Sequence, residues 1–169
     1  MTHYILALDP SGSFLEGKGV TGWCVMTKTK GYLDIVKSGV IRAEDFDTSM
    51  EYYMAHINLI DKMDRNYNDL TTKPKKLHVV IEDYRLYANK ASSQINSRME
   101  TCQLIGILKY HCYNCNIPYT LQMASEVKTR WTDGRLIHKG LSLPTTKESR
   151  HIKDAIRHAV HFIYFGLGD

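Results

Sequence analysis

The sequence predicts an α/β fold in which a mixed five-stranded sheet carries helices on its faces. Residues 5–8, 20–26 and 32–41 are three strand-length runs with tight connections, which reads as an antiparallel meander. After them, helical periodicity alternates with short β-branched runs, the pattern of a sheet with helices packed on it. The runs 5–8 and 77–81 each deliver an acid where the chain leaves the strand, Asp9 and Glu82, and Pro10, Ser11 and Gly12 force a turn after the first.

Each element has its own signals. Residues 27–31 are the polar connection between the second and third strands. Thr48 or Ser49 can cap a helix running to about Tyr67, with Met50, Tyr53, Met54, Ile57, Ile60 and Met63 at helical spacing. Residues 71–76, with Pro74, end that element, and 77–81 is the fourth strand. Ser92 or Ser93 opens a long helix to about Tyr113. Its apolar residues spread beyond one stripe in the second half, which predicts burial on two sides, by the sheet on one and a second subunit on the other, and Gly106 within it predicts a close backbone approach. Residues 118–123 form the fifth strand, followed by a short helical segment from Ser125 and Glu126 to Trp131. Residues 132–144 carry Gly134 and Gly140 without a clear period and read as a loop or small hairpin. Thr145 or Thr146 caps the last helix, whose buried stripe is Ile152, Ala155, Ile156, Ala159, Val160 and Ile163. At about 100° per residue, His151, Asp154, His158 and His161 border that stripe.

At 169 residues and 43% hydrophobic composition, the chain suits one domain spanning residues 1–169. The net charge of +4 permits a polyanionic partner without requiring one. From Ser125 onward there are eight basic residues and five acids, whereas residues 44–69 hold seven acids and two basic residues. Basic and acidic surfaces are thus segregated, and only one suits nucleic acid. Cys24, Cys102, Cys112 and Cys115 lie within strand or helix patterns and no signal segment leads the chain, so reduced thiols and a cytoplasmic location are expected. Cys112 and Cys115 form a lone CxxC beside His111, without a second pair at zinc spacing, and read as helix-end packing. No apolar run approaches the roughly 20 residues of a membrane span.

Asp9 alone reads equally as a metal ligand or as the opener of its turn. Glu82 and the last helix add weight to the first reading, since sites in such sheets lie at strand ends. Three carboxylates and an imidazole converging there would repel one another without a cation. Hard divalent ions answer that conflict: oxygen donors suit Mg²⁺, and an imidazole in the set admits Mn²⁺.

ILALDPSG (residues 5–12), TGW (21–23), VVIED (79–83) and HIKDA (151–155) together resemble the RuvC-type Holliday junction resolvases of the ribonuclease H-like superfamily, especially their bacteriophage branch. Ala88, Asn89 and Lys90, then Gln103 with Gly106, then Glu126, Val127 and Lys128 resemble further family segments in order. Two departures stand out: a longer excursion at 13–19, and a connection from Lys128 to His151 that is shorter than in the bacterial members, which place another helix there.

The resemblance implies three antiparallel strands followed by two parallel ones. It implies a structure-selective endodeoxyribonuclease that resolves four-way junctions, and also acts on forks and flaps, by two-metal-ion phosphodiester hydrolysis with paired nicks. Asp9, Glu82, His151 and Asp154 would be the catalytic and metal-binding residues, with two Mg²⁺ ions per site and Mn²⁺ as a substitute. Asp9 would bridge both ions, and His151 would be a ligand or accept a proton from water. Arg85, Tyr87, Lys90, Lys128, Arg130 and Lys147 would contact DNA, Tyr87 as a wedge against an unpaired base. A homodimer would match the two-fold symmetry of a junction, in a bacterial host's cytoplasm if the chain is of phage origin. Competing readings are a ribonuclease H-type enzyme on RNA–DNA hybrids, a non-catalytic junction binder, and an actin-like ATP-binding protein. The last would need a second phosphate loop and a longer chain.

Overall fold

A computed structural model of the chain describes residues 3–68, 77–85, 98–146 and 149–167. Strands β1 (Tyr4–Asp9), β2 (Val20–Thr29) and β3 (Tyr32–Arg42) come first, then a short 3-10 turn (Ala43–Asp45) and helix α1 (Ser49–Tyr67). Strand β4 (Leu77–Asp83), helix α2 (Glu100–Asn114), strand β5 (Tyr119–Met123), helices α3 (Ala124–Arg130) and α4 (Asp133–His138), and helix α5 (Ser149–Phe165) follow. The sheet order is β3-β2-β1-β4-β5. The β1–β2 and β2–β3 pairs are antiparallel and the β1–β4 and β4–β5 pairs parallel, the mixed sheet that the sequence predicts.

Local chemistry explains the boundaries. Lys30 and Gly31 both take positive φ, 50° and 86°, the backbone of a tight hairpin whose twist matches its strands. Thr48 and Glu51 form a reciprocal capping box that starts α1. The central strand β1 has neighbours on both edges and a core on each face, so Ile5, Leu6, Ala7 and Leu8 are all fully buried. Burial of each large aliphatic side chain contributes roughly 1.5–3 kcal/mol.

Strand alternation divides that core in two. Leu6, Leu8, Trp23, Val25, Val79 and Ile81 face α1 and α2, where they meet Tyr52, Ile60, Leu104 and Leu108. Ile5, Ala7, Cys24, Met26 and Val80 face the other way, against Val127, Leu136 and the stripe of α5, including Ala155, Ile156, Ala159 and Val160. Among the described residues, no helix is long and apolar enough to cross a membrane.

Two local expectations are corrected, one at residues 132–144 and one at the start of the long helix. Residues 132–144 are not simply a loop or hairpin: Thr132 accepts from the Arg135 amide at 3.4 Å and caps α4, and fully buried Leu136 anchors it. A six-residue helix is too short to display a period. Among the described residues, the second half of α2 is covered on the sheet side, with Leu104, Ile105, Leu108 and Cys112 buried, while Tyr110 and Tyr113 on the side expected to meet a second subunit are exposed. A Cβ at Gly106 would meet no heavy atom within 4 Å among the described residues, so none of these makes the close approach expected there. The connection at 71–76, Ser92, Ser93 and Glu148 lie outside the described residues, but the long helix does not run through Arg98 and Met99 as expected: Met99 takes a left-handed φ of 51° and α2 begins at Glu100.

Candidate active site

Parallel pairing sets Leu8 beside Ile81, so Asp9 and Glu82 emerge side by side at one end of the sheet. On the other flank, Asp9 is opposite Gly22 of β2, and α5 crosses the sheet at that point. A Cβ on Gly22 would lie 2.1 Å from the carbonyl carbon of His151 and 2.6 Å from the amide of Ile152, a distance that no side chain permits. The bare backbone lets α5 sit low enough for His151 Nδ1 to reach within 3.2 Å of Asp9 Oδ2. One turn later Asp154 is buried, and one turn beyond that His158 is fully buried. Gly22→Ala is therefore expected to push α5 off β2, costing ~1–3 kcal/mol in urea unfolding through overpacking and lowering any activity that needs His151 beside Asp9.

An ammonium occupies the middle of the carboxylates. Lys128 on α3 places Nζ 3.0 Å from Glu82 Oε2 and 3.0 Å from Asp154 Oδ2. Each acid has a further partner. His158 Nε2 donates to Glu82 Oε2 at 2.8 Å, while its Nδ1 lies 2.9 Å from Gln122 Oε1 on β5. Arg157 pairs with Asp154, with Asp133 at the start of α4, and through Nε with the carbonyl of Trp131 at 2.8 Å.

These neighbours separate the acids electrostatically. Burial, aided by the charges of Glu82 and Asp154, pushes Asp9 up from 3.8 to about 6 against the opposing pull of His151 and Lys128. Burial also works upward on Glu82, but His158 and Lys128 overcome it and hold the group at about 2. His151 is shifted upward chiefly by its hydrogen bond to Asp9. Burial opposes the charge on Lys128, yet Glu82, Asp9 and Asp154 raise its pKa. Asp9 is thus the one of these acids shown to be pushed upward, chiefly by its burial. An oxygen-rich donor set with one imidazole fits hard divalent ions, so the residues present suit Mg²⁺ or Mn²⁺.

A buried network fixes the turn after Asp9. Ser11 N donates to Thr21 Oγ1 at 3.1 Å, and Tyr52 OH donates to the Ser11 carbonyl at 2.5 Å. His56 must donate from Nδ1 to the Tyr52 carbonyl at 2.7 Å, because that oxygen only accepts, so neutral Nε2 accepts from Thr21 Oγ1 at 2.8 Å. Burial pushes His56 down to about 4, which keeps it in this neutral form near neutrality. From the other side Gly12 N donates to Thr101 Oγ1 at 3.1 Å, and a Cβ on Gly12 would lie 2.2 Å from the carbonyl carbon of Glu100. The first turn of α2 therefore rests directly on the turn.

Asp9, Glu82, His151 and Asp154 are brought together. Lys128 joins them rather than standing on an outer surface. Arg85 and Arg130 are exposed, Arg130 with its guanidinium over the ring of Phe165. Tyr87, Lys90 and Lys147 lie outside the described residues. Sequence reasoning did not single out Gln122, Arg157, Asp133, Tyr52, His56 or Thr101 for roles here. Arg157 had a signal, since it stands three residues after Asp154 on one helix face; the others are set by tertiary contacts.

Two solved structures share this architecture across almost the whole chain. RuvC of Thermus thermophilus in complex with a Holliday junction substrate matches at a TM-score of 0.69 and 12% identity, covering 97% of this chain and 94% of that one. The fold is that of RuvC. A second Thermus thermophilus RuvC structure superposes with a TM-score of 0.64 at 12% identity, over 96% of this chain and 94% of its own. No protein-family model matches the chain, and a search of curated proteins finds no match. The RuvC-like sheet carries its carboxylates at the ends of β1 and β4, beside α5.

Proposed function

We propose that the chain is a metal-dependent endodeoxyribonuclease that resolves four-way DNA junctions, with forks and flaps as further branched substrates. One observation carries this reading: Asp9, Glu82, Asp154 and His151 meet at one end of a RuvC-like sheet, in a donor set suited to hard divalent ions. Two Mg²⁺ ions, or Mn²⁺ in their place, would be held by these four residues and would supply a water-derived nucleophile and charge stabilisation at the phosphate.

The chain's own residues prepare that site. Asp9 lies between the other groups and is the carboxylate most in need of a cation. His158 and Gln122 orient Glu82, and Arg157 orients Asp154, each leaving oxygens that now face Lys128. Lys128 keeps the acids gathered, and with ions bound its ammonium would be free to meet the phosphate. His151 would either be a ligand or take the proton of the attacking water. The products would be a 5′-phosphate and a 3′-hydroxyl. Exposed Arg85 and Arg130, with Lys90 and Lys147, would contact phosphates and add salt-sensitive affinity, and Tyr87 would stack on an unpaired base as a wedge. Paired nicks require two sites, and the uncovered face of α2 around Gly106, Tyr110 and Tyr113 is the surface for a second copy.

The test is cleavage of an immobile four-way junction, a splayed fork, a linear duplex and an RNA–DNA hybrid in Mg²⁺ or Mn²⁺. Symmetric junction nicks that are absent in Asp9→Asn are expected. Junction binding without cleavage would replace the proposal with a binding role, and preferential cutting of the hybrid would replace it with a ribonuclease.

A further inference from the structure

Helices α1 and α2 bring together three side chains with no part in the carboxylate cluster. Asp61 on α1 accepts from His111 Nε2 on α2 at 2.6 Å, and Cys115 Sγ lies 3.9 Å from that same nitrogen. One ligand atom from each residue can be chosen so that all lie within 4.8 Å of one another. We propose that Asp61, His111 and Cys115 form a second metal site, selective for a borderline-soft divalent ion of the Zn²⁺ class.

The donor chemistry argues for that class. Thiolate, imidazole and carboxylate are zinc's usual protein ligands, whereas Mg²⁺ takes oxygen donors and rejects sulfur. Ligand bonds of roughly 2.0–2.3 Å in a tetrahedron place donor atoms ~3.3–3.7 Å apart. The present contacts bracket that spacing, so the Asp61–His111 pair opens and the His111–Cys115 pair closes, each by under ~1 Å. Three protein ligands leave one position for water.

The backbone holds the pair on α2 in place beforehand. His111 and Cys115 are four residues apart, on one helix face. Cys115 N donates to the His111 carbonyl at 3.0 Å, and Ile117 N reaches back to the Cys112 carbonyl at 2.8 Å. Asn116 takes a left-handed φ of 52°, so the helix ends in a closed left-handed cap that fixes Cys115 one turn beyond His111. The Asp61 and His111 side chains keep 36% and 16% of their surface exposed, which leaves an ion a path in from solvent. Inward of them, Ile60, Leu108 and Cys112 are buried in one core.

The site's consequence is mechanical. An ion here ties the C-terminal end of α2 to α1, while the N-terminal end of α2 bears on Gly12 in the turn after Asp9. It would hold α2 at one end without touching the carboxylates at the other.

Metal-free full-length protein, saturated with Mg²⁺ to fill oxygen sites, is titrated with Co²⁺ as a spectroscopic substitute for Zn²⁺. The expected result is a single equivalent with a thiolate-to-cobalt charge-transfer band and a tetrahedral visible spectrum, both displaced by Zn²⁺. The band should vanish in Cys115→Ser and persist in Cys102→Ser. Asp61→Asn, which preserves a hydrogen-bonding side chain, should weaken Co²⁺ binding at least ~10-fold. Zn²⁺ should raise the melting temperature of the wild type but not of Cys115→Ser. A missing charge-transfer band, or one unchanged in both Cys115→Ser and Asp61→Asn, would overturn the proposal and leave a hydrogen-bonded His–Asp pair.

Discussion

Asp9→Asn is expected to abolish metal-dependent cleavage and, in the same protein without metal, to raise the stability at pH 7. The two effects have one cause. An acid held at about 6 in the folded state against an ordinary 3.8 disfavours its own charge. Its cost to folding is absent below about pH 3.8, grows as pH rises toward 6, and is fully present above. That displacement corresponds to about 3 kcal/mol, an upper figure because the group is coupled to its neighbours. Asparagine keeps the shape, accepts or donates to His151, and carries no charge. Removing this carboxylate should lower cleavage by more than ~100-fold, beyond what the loss of a ligand's hydrogen-bonding partner usually produces. Urea unfolding in chelator at pH 5 and pH 8 checks the stability arm: the variant's advantage should appear at pH 8 and shrink at pH 5. A variant less stable than the wild type at both values would show that Asp9 is already balanced by its protein partners, and the electrostatic case for a cation would fall.

Lys128→Met should have the opposite stability signature. Its ammonium is the central positive group among the three carboxylates, and its hydrocarbon stem is preserved in methionine. Taking one partner from a well-buried ion pair typically costs ~3–5 kcal/mol; Lys128 retains about a third of its side-chain surface, so ~1–3 kcal/mol is the expected loss without metal. The raised pKa of Lys128 means that its contribution is complete below its ordinary value of 10.5 and lost only as pH climbs through the higher folded value. Glu82 has the reverse linkage. Held at about 2 against an ordinary 4.5, it stabilises the fold above pH 4.5 and loses that contribution as pH falls toward 2. Between those limits both groups are charged, but Asp9 ionises there with Lys128 opposing its upward shift, so the variant's deficit should grow as pH rises through about 6 and level off above it. Saturating Mn²⁺ should restore most of it, because the ion takes over the role of the ammonium. Thermal melts of wild type and variant, with chelator and with Mn²⁺, measure this directly. A deficit that Mn²⁺ leaves untouched would separate Lys128 from the cation position.

Much of this arrangement is legible in the sequence because single-element chemistry fixes it. An apolar run ending in Asp9 before Pro-Ser-Gly, and another ending in Glu82, give two strand ends, and simple helical geometry sets His151 and Asp154 on one border of α5. The place of Lys128 is not legible in that way. Its distance from Glu82 and Asp154 depends on how α3 packs against β4 and α5, which no local period encodes. The polar chain from His56 through Thr21 and Tyr52 to Ser11 is hidden for a related reason: its members lie on three elements, and no local pattern links them. Helix α4 escapes because its one buried anchor, Leu136, cannot make a pattern. Asp61 and His111, fifty positions apart, meet only once α1 and α2 share a face of the sheet.

The seating of α5 on Gly22 makes the motion of the site one-sided. Backbone already touches backbone there, so the helix has no room to approach β2 and can only recede. Thermal fluctuation will therefore lengthen the spacing between the α5 backbone and β2 and will not shorten it below its resting value. Heating, mild denaturant or a loosened α5 stripe should all shift that spacing in the same direction. Any gain in reach for a larger substrate would come through excursions outward, with His151 carried away from the acids each time.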